Sequence, residues 1–256
     1  MTFHNIVSLE GKTALVVGGG GLGTPIAQAF LENGAEVIIA DIRNSISEEL
    51  RKTAAIAGKE VGFVPVDLLS EESIVAAVEE AKQVTGRIDI LVNAAGINKL
   101  ERAEEYQTAS WDDVLGINLR GLFLTTREVG KIMKEQHYGR ILSISSVKSI
   151  IGTDRDYIAY CASKGGVNMF MKQIACEWGK YGITANAIAP TFTRTPINAF
   201  QLDDPVFYQK LVDRIPLGRI CSAKDIGNAA LFLCSDAAEF ITGQVLAVDG
   251  GLTAKQ

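Results

Sequence analysis

Tyr160 and Lys164 stand four residues apart in the run Tyr-Cys-Ala-Ser-Lys, and on a helix that spacing puts both side chains on one face. A tyrosine is a poor base in water because its pKa is about 10. An ammonium held nearby favours the phenolate and moves that value toward the working range. The pair is therefore predicted to move a proton, with Tyr160 taking it from an alcohol or returning it to a carbonyl oxygen. Ser146 follows a predicted strand at 139–145 and is placed to hydrogen-bond the substrate oxygen and steer it toward Tyr160, with Ser145 beside it as the alternative. Asn118 lies inside a long predicted helix, where amide side chains are disfavoured. There it either bends the helix or holds a water connected to Lys164.

A second constellation lies near the start. The run Leu15-Val16-Val17-Gly18-Gly19-Gly20-Gly21-Leu22-Gly23 leaves a predicted strand and enters a predicted helix. Glycines there permit a tight turn, let the backbone approach a pyrophosphate and expose helix N-terminal amides to its charge. Asp41 closes the next strand, where a carboxylate accepts hydrogen bonds from both adenosine ribose hydroxyls and repels a ribose phosphate. NAD is thus expected in preference to NADP. Arg43, just beyond that strand, is the opposing feature, since a guanidinium there is also suited to a phosphate. Asp67, after the third strand, and Asn93-Ala94-Ala95-Gly96, after the fourth, put small or polar groups at further carboxyl ends, where open α/β sheets bind ligands. Asp67 by itself also reads as a turn cap.

The elements that must position these groups alternate. Short β-rich runs at 13–18, 36–41, 61–66, 89–94, 139–145, 183–189 and 244–250 are separated by helix-length stretches at 24–33, 46–57, 71–85, 110–136, 159–181 and 223–235. This is the pattern of an α/β fold, a mostly parallel, doubly wound sheet of about seven strands with helices on both faces. Ser70 before Glu71 and Glu72 reads as a helix cap. At 256 residues the chain fits one domain. A formal net charge of -5 argues against nucleic acid or an anionic membrane as partner. Cys161, Cys176, Cys221 and Cys234 lack metal-site spacing, and His4 and His137 are the only histidines, so no metal is expected. No stretch approaches the roughly 18 apolar residues of a membrane span, and a cytoplasmic protein is expected.

Taken in order, the glycine-rich turn, Asp41, Asp67, Asn93 to Gly96, Asn118, Ile144-Ser145-Ser146, Tyr160 to Lys164, Asn186, Pro190 and the closing Val248-Asp249-Gly250-Gly251 resemble the short-chain dehydrogenase/reductase family over essentially the whole chain. The resemblance implies a single Rossmann-like domain, commonly a homotetramer, that transfers a hydride between a nicotinamide cofactor and an alcohol or ketone carbon. It implies Asn118, Ser146, Tyr160 and Lys164 as the catalytic group, with Lys164 also on the nicotinamide ribose. The cofactor is expected along Gly18, Gly20, Gly21, Leu22, Gly23, Asp41, Ile42, Asp67, Leu68, Asn93, Ala94, Ala95, Gly96, Tyr160, Lys164, Pro190, Thr193 and Thr195. Three departures stand out. Val17 replaces a customary threonine and the glycine loop is one residue shorter, which predicts a changed phosphate turn with cofactor binding retained. The Ser146-to-Tyr160 span is one residue longer than usual, around 153–157. Thr191 stands where glycine commonly follows the proline.

The span joining Ser146 to Tyr160 carries Lys148, Arg155 and Asp156, costly liners for an apolar pocket unless paired or turned outward. A small polar substrate is expected, namely a sugar, polyol, sugar acid or related hydroxy acid, unless those charges are simply solvated. Residues 195–218 form the one long segment predicted to be irregular, read either as a substrate-covering lid or as a loop-helix packed on the sheet or a neighbouring subunit. The alternatives are a 3-oxoacyl carrier-protein reductase using NADPH, against which Asp41 and the acidic total weigh, and a non-catalytic nucleotide-binding regulatory or assembly protein.

Overall fold

A computed structural model describes residues 7–43, 45–153, 155–195 and 199–255. Seven strands pair in one sheet of order β3-β2-β1-β4-β5-β6-β7, every pairing parallel: β1 (Thr13–Val17), β2 (Glu36–Asp41), β3 (Val61–Pro65), β4 (Ile90–Asn93), β5 (Gly139–Ile144), β6 (Ile183–Pro190) and β7 (Val245–Val248). Parallel strands need crossover connections, and helices that pack on the sheet supply them. α1 (Gly23–Glu32), α2 (Glu48–Ile56) and α9 (Ala223–Cys234) cover one face. α3 (Glu71–Thr85), α5 (Leu122–Gln136) and α6 (Ile158–Trp178) cover the other.

The alternation of side chains along each strand divides the core in two. In β1, Leu15 and Val17 join Ile74, Val78, Met133, Met171 and Trp178 on the α3/α5/α6 side. Ala14 and Val16 join Ile26, Phe30, Leu50, Ile226 and Leu233 on the α1/α2/α9 side. Burial of both faces is why β1 reads as a continuous apolar run. It also fixes the register, since a one-residue slip exchanges the two sets.

The sheet reverses winding direction between β1 and β4. The register there pairs Val17 with Ala40 on one side and with Asn93 on the other. The carboxyl ends of β2, β1, β4, β5 and β6 therefore form one edge, where doubly wound sheets take their ligands.

Two predicted elements differ from what is observed. The helix predicted over 110–136 is α4 (Thr108–Leu115), a π turn (Gly116–Gly121) and α5 in succession. The widened turn contains Asn118. The segment at 195–218 is not irregular throughout. It contains α7 (Ala199–Leu202) and α8 (Pro205–Val212), the latter started by Asp204, whose side chain accepts from Val206 N, with Pro205 in its first turn. Residues 196–198 of that segment, and Asp154 of the loop at 153–157, lie outside the described residues. The Ser70 cap is present, accepting from Ser73 N at 3.1 Å. α9 begins with a full capping box, Ser222 accepting from Asp225 N and Asp225 accepting from Ser222 N. Ser222→Ala is expected to destabilise the fold by about 1 kcal/mol, read as a lower urea midpoint with an unchanged denaturant slope.

Candidate active site

The glycine loop after β1 is tight for identifiable reasons. Gly18 and Gly21 have φ of 94° and 50°, left-handed backbone that glycine adopts without a steric cost. A Cβ on Gly18 would lie 2.5 Å from the Ala95 amide nitrogen, and one on Gly23 would land on the Gly18 carbonyl oxygen. Leu22 caps α1 without any side-chain hydrogen bond, and the first turn carries no acidic residue. By contrast α2, α3 and α9 are each capped by a serine and carry carboxylates there. In the first turn of α1, Gly23 N donates to Gly20 O at 2.9 Å and Pro25 has no N–H, so the Thr24 amide, with no capping side chain, is the donor left for an anion.

Asp41, 7% exposed, closes β2 beside this loop. Its Oδ2 accepts from Gly19 N at 2.8 Å and Arg43 Nη2 at 3.1 Å, and its Oδ1 accepts from Arg43 N at 2.9 Å and Arg43 Nε at 3.1 Å. Burial raises this carboxyl, but the hydrogen bonds from Arg43 and Gly19 outweigh it and hold it below the ordinary value. The Arg43 guanidinium lies directly over Gly20, where it occupies the position of any side chain at that residue. Ile42 between them is 72% exposed at the rim. These residues fit a dinucleotide: a glycine cradle that a Cβ would fill, an uncapped helix start, and a buried carboxylate one strand away.

Other residues of the predicted cofactor set divide into those at the edge and those turned inward. The amides of Ala94 and Ala95 both donate to Val17 O at 2.8 Å, drawing the chain after β4 against the glycine loop. Gly96 follows, and a Cβ there would lie 3.3 Å from Asn118 Oδ1 and 3.4 Å from Lys164 Nζ, so it joins the cofactor end to the chemical end. Asn93, by contrast, is 4% exposed and donates to Thr126 Oγ1 and Ser143 Oγ. Its side chain braces the sheet against α5 rather than facing the edge. The Asp67 carboxylate accepts from Leu69 N at 2.9 Å, the turn-cap reading, and Leu68 packs its Cβ toward Gly121. Pro190 ends β6, Thr193 is buried and donates to Thr191 O at 3.2 Å, and Thr195 precedes α7.

At the chemical end, α6 places Tyr160 and Lys164 against the end of β5. Lys164, 4% exposed, donates from Nζ to Ile144 O at 2.6 Å, and burial draws its ammonium down to about 8. Its Nζ lies 5.6 Å from the Tyr160 ring centroid. Burial pushes the Tyr160 phenol up to about 12, a rise opposed by its hydrogen bond with Ser146. Desolvation of the phenolate thus outweighs the Ser146 hydrogen bond that favours it, and the lowering expected from the Lys164 ammonium is not found. Ser146 Oγ also accepts from Lys148 N at 3.1 Å, whereas Ser145 Oγ turns away to Asn168 Oδ1 at 2.6 Å. The geometry therefore separates the two serines, and Ser146 is the one that meets Tyr160. Asn118 accepts from Ile97 N at 2.8 Å and donates to Ile97 O at 2.9 Å and Ser163 Oγ at 3.1 Å. Its amide ties the chain after Gly96 to α6 across the π turn.

Three participants were not singled out in the sequence: Gly19, whose amide holds Asp41; Ser163, which donates to Tyr160 O at 2.8 Å; and Asn168. Asn168 repeats the four-residue spacing from Tyr160 to Lys164, a signal available in the sequence. Among the described residues no helix is long and apolar enough to cross a membrane.

A family model described as enoyl-(acyl carrier protein) reductase matches residues 17–253. The chain is 40% identical over 249 residues to the D-threitol dehydrogenase of Mycolicibacterium smegmatis, covering 96% of this chain and 95% of that protein. The chain belongs to the short-chain dehydrogenase/reductase family. It is also 36% identical over 258 residues to the NAD-dependent glycerol dehydrogenase of Listeria innocua, covering 99% and 98% of the two chains. Among solved structures, a gluconate 5-dehydrogenase from Burkholderia cenocepacia in complex with NADP and tartrate superposes with a TM-score of 0.91 at 33% identity, covering 98% and 99% of the two chains. The chain is thus an oxidoreductase of this family, acting on an alcohol or ketone carbon with a nicotinamide dinucleotide.

Gly23→Ala forces α1 away from the Gly18 carbonyl. Titration of cofactor against protein fluorescence is expected to show at least about tenfold weaker binding, with the far-UV spectrum unchanged.

Proposed function

We propose that this protein interconverts a secondary alcohol and a ketone on a polyol, sugar or sugar acid, with NAD as cofactor and Tyr160 as the proton-transfer group. The observation that carries the reading is the meeting of Tyr160 and Ser146 at the strand edge that also bears the glycine cradle and Asp41. When bound, the cofactor accepts or supplies the hydride. Ser146 orients the substrate oxygen, and Tyr160 takes the hydroxyl proton in oxidation or gives it back in reduction. Lys164 keeps a positive charge beside the phenol and favours its ionised form. Asn118 holds the chain after Gly96 against α6.

NAD is supported by Asp41, whose carboxylate is suited to ribose hydroxyls and repels a phosphate. The NAD-dependent relative from Listeria agrees with this preference. Arg43 is the feature that favours a phosphate. A polar substrate is supported by Lys148 and Arg155 in the loop before Tyr160 and by the threitol, glycerol and gluconate enzymes among the relatives. α7 and α8 serve in this reading as the substrate cover. Phe207 on α8 meets Phe192 edge to face with centroids 5.9 Å apart and lies beneath the Arg155 guanidinium at 4.9 Å, which links the cover to that loop. A cytoplasmic homotetramer completes the proposal, supported by four free cysteines and by exposed Phe123, Met169 and Phe240.

Tyr160→Phe is expected to lower kcat by at least about a hundredfold while cofactor binding by fluorescence titration stays at the wild-type value. Unchanged turnover would contradict the role given to Tyr160. Oxidation needs the phenol without its proton, so its rate is expected to rise about tenfold per pH unit below the Lys164 value of about 8 and to flatten above it, where the ammonium is lost. Reduction needs the protonated phenol, held up to about 12, and is expected to be flat across the same window. Asp41→Ala is expected to raise kcat/KM for NADP by about tenfold or more and lower it for NAD, measured by initial rates. A wild type that already prefers NADPH and reduces a 3-oxoacyl substrate would favour the carrier-protein reductase reading instead.

A further inference from the structure

Tyr160, Lys164 and Asn168 occupy successive positions of one stripe on α6, and each reaches a different residue at the end of β5. Tyr160 meets Ser146, Lys164 donates to Ile144 O, and Asn168 takes the residue between them. The contacts of Asn168 form a directed chain. Ser145 Oγ donates to Asn168 Oδ1 at 2.6 Å, Asn168 Nδ2 donates to Ser149 Oγ at 2.7 Å, and Ser149 Oγ donates to Ser146 O at 2.5 Å. Ser149 N donates to the same carbonyl at 2.9 Å, and Ser145 Oγ also lies 3.0 Å from Ser149 Oγ and 3.3 Å from Lys164 O.

The target of this chain is the backbone of Ser146. Ser146 caps the single 3-10 turn Val147–Ser149 in extended conformation, φ -166° and ψ 155°, with its side chain accepting from Lys148 N. Two hydrogen bonds on its carbonyl fix the peptide plane beyond Ser146. The turn they anchor holds the serine hydroxyl between Lys148 N and the Tyr160 phenol. An asparagine suits the bridging position because one end of its amide accepts and the other donates. Ser145 needs an acceptor, and Ser149 needs a donor so that its own proton remains for Ser146 O.

We propose that Asn168 is a positioning residue for the reaction, its amide setting the turn after β5 so that Ser146 presents its hydroxyl to Tyr160. This rests on the assignment of Ser146 and Tyr160 to the chemistry. Neither Asn168 nor Ser149 needs to touch substrate or cofactor, and their effect is exerted through the placement of Ser146. A misplacement of about 1 Å at a reacting group can cost about a hundredfold in rate.

The test uses Asn168→Asp, which preserves shape and the acceptor for Ser145 but removes the donor to Ser149. It is combined with Ser149→Ala, the double variant, and Ser146→Ala. Each is measured for kcat, KM, cofactor affinity by fluorescence titration and melting temperature. Asn168→Asp and Ser149→Ala are each expected to lower kcat by about tenfold, with cofactor affinity within about twofold, and the double variant is expected to be no slower than the slower single one, because both act through one carbonyl. The proposal is overturned by kcat within twofold of wild type in Asn168→Asp, by losses that multiply in the double variant, or by losses that track weaker cofactor binding or lower melting temperature in both single variants. Full turnover in Ser146→Ala would overturn the catalytic assignment itself. An inactive Ser146→Ala beside a fully active Asn168→Asp would overturn the positioning role alone.

Discussion

A buried ammonium needs an acceptor, and Lys164 finds one in the carbonyl of Ile144, the last residue of β5. An unpaired charge at 4% exposure would be strongly destabilising. The bond therefore constrains both partners, holding α6 at one height against the sheet and the end of β5 at one height against α6. Tyr160 and Asn168, one turn away on either side of Lys164, inherit that alignment. The depression of Lys164 to about 8 reflects its burial. Its proton is therefore held less firmly than an exposed lysine's, in the pH range where an alcohol oxidation would work.

The cofactor end depends on a different balance. Asp41 is engaged by Gly19 and three times by Arg43, so a ribose approaching that carboxylate meets a guanidinium already in place. Arg43 is two-thirds exposed and its side-chain bonds to Asp41 are solvent-screened, so moving it costs little. One residue thus neutralises the buried carboxylate and keeps an exposed guanidinium beside it. Under the proposed function, cofactor preference therefore rests on Asp41 and Arg43 together and not on either alone.

Much of this was legible in the sequence, for reasons that differ by element. The central strands read most clearly because burial on both faces makes them apolar runs, as in Val37 to Ala40 or Ile90 to Val92, whereas the edge strands β3 and β7 are only partly buried. The spacing of Tyr160 and Lys164 put both on one face of α6, since a helix converts that spacing into one face. What stayed hidden depended on contacts across the fold. The π turn at Asn118 exists because Ile97 and Ser163 converge on its amide, and neither partner lies near it in the sequence. Asn93 ends β4 at the carboxyl edge of the sheet, where its amide turns inward to Thr126 and Ser143. α7 and α8 were obscured by the prolines and charges of 195–218, although Asp204 before Pro205 is a helix start. The lowering of the Tyr160 pKa expected from its spacing to Lys164 is overturned, because the shift depends on how much of the phenol is desolvated and burial raises it to about 12.

The most direct test of the central claim is an initial-rate screen of the purified wild-type protein, following nicotinamide absorbance. Polyols, sugars, sugar acids and hydroxy acids are offered with NAD and with NADP, and a 3-oxoacyl substrate with NADH and with NADPH. The account predicts turnover of a polyol, sugar or sugar acid at higher kcat/KM with NAD than with NADP. Preferential 3-oxoacyl reduction with NADPH, or no turnover of any alcohol by a protein that binds NAD, would contradict it.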